Sequence, residues 1–177
     1  MTVLPDHLDH SLRVVFCGTA AGTTSAARGH YYSGAGNEFW RYLYEAGLTP
    51  RRLTPADDLT ITSYGIGLTD LAKNVASSND RGLRTKYDVA GFVKKIELYA
   101  PAVVAFHGKE AAKAVSRAAG HARDVSLGVQ RWQIARSRVF VVPSASGANR
   151  DVRRLEGKPS RVAWFIELRD LVDSLGR

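Results

Sequence analysis

The sequence predicts an α/β protein: a single three-layer α/β/α domain around a central, largely parallel sheet. Three observations carry this. Short β-branched and aromatic runs at residues 13–17, 102–106 and 138–142 alternate with segments of helical period, the pattern of β-α-β units. The run 102–106, Ala-Val-Val-Ala-Phe, is apolar without alternation, as a strand covered on both faces must be. The 177 residues suit one hydrophobic core, and neither an internal repeat nor a linker divides them. The expected organisation is a loose N-terminal tail over residues 1–11 and one domain over 12–177.

Residues 13–17, Arg-Val-Val-Phe-Cys, read as a buried strand that Gly18 stops. The eighteen residues that follow read as a loop long enough to mark a site, carrying His30, Tyr31 and Tyr32 beside Gly29, Gly34 and Gly36. Residues 37–46 place Phe39, Trp40, Leu43 and Tyr44 on one helical stripe, with Asn37 as cap and Gly47 as stop. Residues 59–67 read as a weaker extended segment, after which Thr69 or Asp70 opens a short helix. The polar, basic stretch 77–86 is a surface loop. Helical period returns over 87–99 through Val89, Phe92, Val93, Ile96 and Leu98, and Pro101 ends it. Beyond the strand 102–106 come His107-Gly108 and an alanine-rich helix over 109–119. Strands at 131–135 and 138–142 flank a tight turn, and a last helix covers 160–175 with Val162, Phe165, Ile166 and Leu168 available for packing. Ligands of parallel sheets sit beyond the carboxyl ends of the strands. The loop after Cys17, His107-Gly108 and residues 143–150 therefore converge on one edge.

Composition narrows the chemistry. A net charge of +8 and a pI near 9.9 fit a polyanionic partner, although many basic proteins bind no nucleic acid. The single cysteine, Cys17, excludes an intramolecular disulfide and any cysteine-ligated metal site of the usual four-ligand kind. The five histidines lack metal-ligand spacing except His7 and His10 in the tail, so neither a metal nor another cofactor is expected. No apolar run approaches the roughly 20 residues that span a bilayer, and the first ten residues do not resemble a signal peptide. No membrane association, a cytoplasmic location (with the nucleoid in a prokaryote) and a monomeric state are expected. Gly18 and Gly22 are not followed by the Lys-Ser/Thr of a phosphate-binding P-loop, no G-x-G-x-x-G follows the first strand, and Ser146 is preceded by Ser144 where a nucleophile elbow needs glycine.

The run from Leu12 to Gly18, then Gly22, Ser25-Ala26, Gly29, Asn37, Phe39-Trp40 and Ala46-Gly47, resembles the opening of the mismatch-specific uracil/thymine DNA glycosylases. Gly67-Leu-Thr, Gly108-Lys109 and Pro143-Ser-Ala-Ser-Gly147 extend the likeness over most of the chain. The resemblance implies a uracil-DNA glycosylase-like fold, DNA containing uracil or a related deaminated base as partner, base flipping, and no metal. It implies a base pocket of Gly18, Thr19, Ala20, Gly22, Tyr32 and Ser144, with Asn74 a further substrate contact. Tyr32 would stack on the base; its alternative is ordinary packing under a loop. Residues 143–150 match the loop that enters DNA in relatives, so Gly147, Ala148, Asn149 and Arg150 would form the wedge, with Ser146 and Arg153 also binding DNA. Arg153, Arg154, Lys158 and Arg161 would add a basic rim suited to phosphates. The alternative for that loop is a surface turn with a helix cap.

The first motif departs from the family. Where the pattern Gly-x-Asn-Pro-Gly carries asparagine and proline, this chain has Ala20 and Ala21, and alanine cannot orient water. Asp70, in Gly67-Leu-Thr-Asp70, is the candidate catalytic group, since some members of the wider superfamily use an aspartate from this second region. Its alternative is a helix cap or an ion pair with Lys73. The expected activity is monofunctional excision of uracil. Two rivals stand beside it: a non-catalytic DNA lesion-binding module on the same fold, and a small-molecule nucleotide enzyme.

Overall fold

A computed structural model describes residues 1–121, 124–147 and 152–176, with only the backbone of Val152 and Arg153. Its single sheet holds β1 (Val14–Ala21), β2 (Ile66–Ala76), β3 (Val103–His107), β4 (Gly128–Ile134) and β5 (Ser137–Val142) in the order β2-β1-β3-β5-β4. All pairs are parallel except β4 with β5. The helices are α1 (Thr23–Arg28), α2 (Phe39–Glu45), α3 (Val89–Tyr99), α4 (Lys109–Ala118) and α5 (Arg161–Ser174). Among the described residues no helix is long and apolar enough to cross a membrane.

Pleating sorts the side chains into layers, because alternate residues of a strand point to opposite faces. Phe16 of β1 lies in register with Ala105 of β3, and its ring packs at 5.1 Å on Phe39 of α2 and 6.1 Å on Phe165 of α5. Cys17 and Phe106, one residue on, point the other way, where Phe106 meets Phe92 of α3 at 5.8 Å. The sheet is thus covered on both faces, the three-layer arrangement expected from the apolar run in β3.

Chain order opens the site. From β1 the chain passes to β2 on one side and then crosses to β3 on the other, so a topological switch lies between β1 and β3. The β1–β3 ladder ends at Cys17 with Phe106, whereas β1 continues with β2 as far as Ala21. Beyond Cys17 the β3 side of β1 has no ladder partner, and a crevice begins there.

Several local expectations need correction. Gly18 does not stop the first strand, and the long loop after it holds the short helix α1. Residues Pro55–Tyr64 form a 3-10 helix, started by a Thr54–Asp57 capping box. Thr69 and Asp70 begin no helix: they lie inside the eleven-residue strand β2, whose first seven positions are buried between β1 and the N-terminal segment. Leu98 and Ile166, expected to pack, are 64% and 37% exposed on the outer sides of their helices.

The first eleven residues are not a loose tail. The Val3 amide donates to the Lys73 carbonyl at 2.7 Å, and His7 and Leu68 exchange two backbone hydrogen bonds of 2.9 Å. Asp6 accepts from Thr69 Oγ1 at 2.7 Å and pairs with Lys73 at 2.8 Å and Lys95 at 2.6 Å. The segment reads as polar because it uses its charges inward, and its few apolar residues seal the outer edge of β2. Leu4 is only 2% exposed. Leu4→Ala should therefore lower the unfolding free energy in urea by about 2–3 kcal/mol; a segment that hung free would leave it unchanged.

Candidate functional site

At the C-terminal ends of the parallel strands lies a cleft of about 780 Å³. Pleat and register decide what faces it. Gly18 of β1 is paired with Asp70 of β2, and both fall on the face that carries Phe16. His107 ends β3 on that same face, and Ser144 follows β5 with the same alternation. Four chemically distinct positions from four strands are thereby set side by side.

Asp70 is 5% exposed. A Cβ on Gly18 would lie 2.6 Å from Asp70 Oδ1, so the missing side chain is what makes room for the carboxylate. Burial pushes the Asp70 carboxyl up to about 6, with the Asp6 carboxylate adding to the push and Lys73, the Gly18 amide and Lys95 holding it back. Asp70 is not a helix cap, and Lys73 makes its close contacts with Asp6 and with the Tyr31 hydroxyl, which accepts from Nζ at 2.8 Å.

Tyr32 stands above this pair. Its ring is stacked on Phe39 with centroids 3.9 Å apart and planes at 28°, and it lies 4.8 Å from the His107 ring. Its φ of 52° is unusual for a residue with a side chain. Both flanks hold it there. The Tyr31 amide donates to Asp58 Oδ2 at 2.9 Å and the Tyr31 carbonyl accepts from Trp40 Nε1 at 3.1 Å. The Ser33 amide donates to Ser25 Oγ at 3.0 Å, and its carbonyl accepts from Arg28 at 2.8 Å. Asp58 is 1% exposed and also meets His30 Nδ1 at 3.0 Å, so a buried carboxylate anchors the loop that presents Tyr32.

The opposite wall is the segment after β5. Burial pushes His107 down to about 4, so the imidazole is neutral at pH 7, and its Nε2 accepts from the Ala145 amide at 2.9 Å. The Glu38 amide donates to the Ala145 carbonyl at 2.9 Å, and a Cβ on Gly147 would lie 3.0 Å from the Gly36 carbonyl oxygen. The two loops are stitched backbone to backbone, which only glycine at 147 permits without displacement. Ser144 Oγ accepts from the Ser146 amide at 3.3 Å, and both serines line the cleft.

Most positions predicted from sequence meet here. Gly18, Thr19, Ala20, Gly22, Tyr32, Asp70, Ser144 and Ser146 all line the cleft, and Gly147 supports its wall. Asn74 does not: it is exposed near the end of β2, outside the lining, because β2 continues past the crevice instead of turning into a helix. Arg154 and Arg161 of the expected basic rim reach the cleft, whereas Lys158 is turned to Glu167 at 2.6 Å and lies over the Trp164 ring at 4.7 Å. Ala148, Asn149 and Arg150, and the side chain of Arg153, lie outside the described residues.

Sequence reasoning missed the wall formed by Ser77, Ser78, Asn79 and Asp80. Thr19 Oγ1 donates to Asp80 Oδ1 at 2.7 Å, and the Thr23 and Ser78 hydroxyls are 2.7 Å apart. These contacts follow from the length of β2, whose end hands the Ser77 amide to the Ala21 carbonyl at 2.9 Å. The signal was present in the run of hydroxyls, amide and carboxylate directly after an apolar strand. Among the described residues no group of three or more His, Cys, Asp or Glu is placed to hold a metal ion.

Comparison with known proteins agrees with this geometry. The solution NMR structure of a protein from Methanosarcina acetivorans, provisionally named a uracil DNA glycosylase, superposes with a TM-score of 0.58 at 22% sequence identity, over 95% of this chain and 96% of that one. At that identity the likeness speaks for the fold. A family model, the Uracil DNA glycosylase superfamily, matches residues 5–169, nearly the whole length of the chain and every element that builds the cleft. The chain belongs to the Uracil DNA glycosylase superfamily.

Proposed function

We propose that the protein is a monofunctional DNA glycosylase that flips uracil, and related deaminated bases, out of DNA and hydrolyses the N-glycosidic bond, leaving an abasic site for base excision repair. The observation that carries this reading is the buried Asp70 carboxylate at the lip of the crevice, lodged in the space Gly18 leaves.

The flipped base enters the cleft against the Tyr32 ring, which Phe39 backs from the other side. As the bond between C1′ and the base lengthens, positive charge grows on the sugar and negative charge on the leaving base. Ionised Asp70 stabilises the sugar and holds the water that attacks C1′, taking a proton from it. The base departs as an anion beside the backbone of residues 18–22, where β1 lacks a partner on its β3 side, and is protonated from solvent. Asp70 thus supplies the group that Ala20 cannot. The latched segment 143–147 gives the DNA-facing loop a fixed base on which to enter the duplex.

The decisive test is single-turnover base release from uracil-containing oligonucleotides. Asp70→Asn should cut the rate by about 10²–10⁴ while DNA binding persists. Unchanged activity would remove Asp70 from the chemistry. Binding without turnover in the native protein would favour the lesion-binding reading, for which the apolar Ala20 is the supporting feature.

The pH dependence has a definite sign. Since the ionised form is the working form, excision should rise as pH increases through about 6 and be lost below it. Stability runs the other way. A carboxyl whose folded pKa is raised binds its proton more tightly when folded, so stability falls as pH rises from the unfolded value near 4, and the loss is complete above the folded value near 6. Asp70→Asn should therefore stabilise the protein by on the order of 3 kcal/mol at pH 8 and leave it nearly unchanged at about pH 4. Thermal unfolding at the two pH values reads this directly.

A further inference from the structure

Beside the cleft, between the segment that follows β2 and the outer face of α4, lies a second concavity of about 260 Å³. Arg84, Lys113 and Arg117 surround it and face one carboxylate, Glu110. Glu110 is shared: its Oε2 lies 3.3 Å from Arg84 and its Oε1 accepts from Lys113 at 2.8 Å. Among the described residues Arg117 has no carboxylate partner, so the concavity holds an excess of positive charge. Lys113 and Arg117 are one helical turn apart and project along the same stripe of α4. In the wall below them the Tyr87 hydroxyl is buried with no hydrogen-bond partner among the described residues.

The concavity adjoins the cleft, since Glu110 and Lys113 line both. A chain of oxyanions leaving the cleft along α4 passes Lys113, which lines both concavities, and reaches Arg84 and Arg117, which line only the second. Oxyanions set at regular intervals and tethered to the base in the cleft are what a nucleic-acid backbone presents.

We propose that this groove is a phosphate-binding track for the DNA strand flanking the flipped nucleotide, with Arg84, Lys113 and Arg117 contacting successive phosphodiesters. It extends the glycosylase reading and rests on it for the identity of the strand. The residues carry no base-reading geometry, so the track adds affinity and register without sequence preference. Glu110 limits the affinity, holding two of the cations partly neutralised and easing release of the product.

The test is binding, measured by fluorescence anisotropy with a labelled duplex carrying no excisable base, across a series of salt concentrations. The paired substitution Arg84→Gln and Arg117→Gln should weaken binding roughly ten- to a hundredfold near 0.1 M salt and reduce the slope of log affinity against log salt by about two, one for each lost phosphate contact. Its thermal unfolding midpoint should match the native protein's, since both side chains are exposed. Glu110→Gln should act oppositely, tightening binding several-fold, a gain that a damaged fold cannot mimic. A salt slope unchanged in the paired variant, or weaker binding by Glu110→Gln, overturns the track. Competition by free deoxyuridine monophosphate that disappears in the paired variant, with the DNA slope intact, would assign the groove to free nucleotide and overturn it too. Because binding alone is read, failure of the native protein to release uracil would defeat the glycosylase reading without deciding this one.

Discussion

At the lip of the sheet, Gly18 has no side chain, and the carboxylate of Asp70 occupies the space that one would fill. Much follows from that single accommodation. A carboxylate placed there is shielded by β1, by the loop carrying Tyr32 and by the N-terminal segment, and so keeps its proton to a higher pH than an exposed aspartate does. The same crowding points it to where β1 loses its β3 partner and the sheet opens. Function and instability are thus concentrated in one residue, with the cost of its burial offset by packing elsewhere.

The surrounding polar network explains how the fold tolerates this. Asp6, Lys73 and Lys95 form an interlocked cluster beneath Asp70 on the outer side of β2, and Lys73 also bonds the Tyr31 hydroxyl. Asp58 fixes the Tyr31 amide, so that Tyr32 holds a backbone conformation it would not choose alone. On the far side, neutral His107 secures the Ala145 amide. The wall that carries Tyr32 and the wall after β5 are therefore each held by a buried polar side chain from a different part of the chain, and the two are joined to one another through Glu38 and Gly36. Sites held this way are rigid before the ligand arrives.

The layer order and the edge where the site forms were legible in the sequence, because they depend on local signals: the apolar runs of β1, β3 and β5 and the breaks at His107-Gly108 and Pro143. Family motifs found Gly18, Tyr32 and Ser144, each of which lines the cleft. Asp70 was picked out for its chemistry but placed in the wrong element. Its segment, Ile-Gly-Leu-Thr-Asp-Leu-Ala, contains a glycine and an aspartate that local propensity reads as the start of a helix, whereas pairing with β1 and with His7 makes it a strand. The N-terminal segment was misread for a similar reason: Asp6 and His7 look solvent-seeking until their partners, Lys73, Lys95 and Asp58, are brought near by the fold. Asp58 was invisible because nothing within its own neighbourhood marks it, and the polar run from Ser77 to Asp80 was read only as a surface loop; the roles of both arise from contacts dozens of residues away.

The physical claim under all of this is that Asp70 is a buried carboxyl held in reserve at the mouth of the cleft. A carbon NMR titration of the Asp70 carboxyl in the folded protein tests it most directly, independent of substrate. The midpoint should fall near 6, and substitution of Lys73 by methionine should move it higher still, since that ammonium favours the ionised form. A midpoint near 4, the value of an ordinary exposed aspartate, would show that the side chain is solvated and would contradict the site as described.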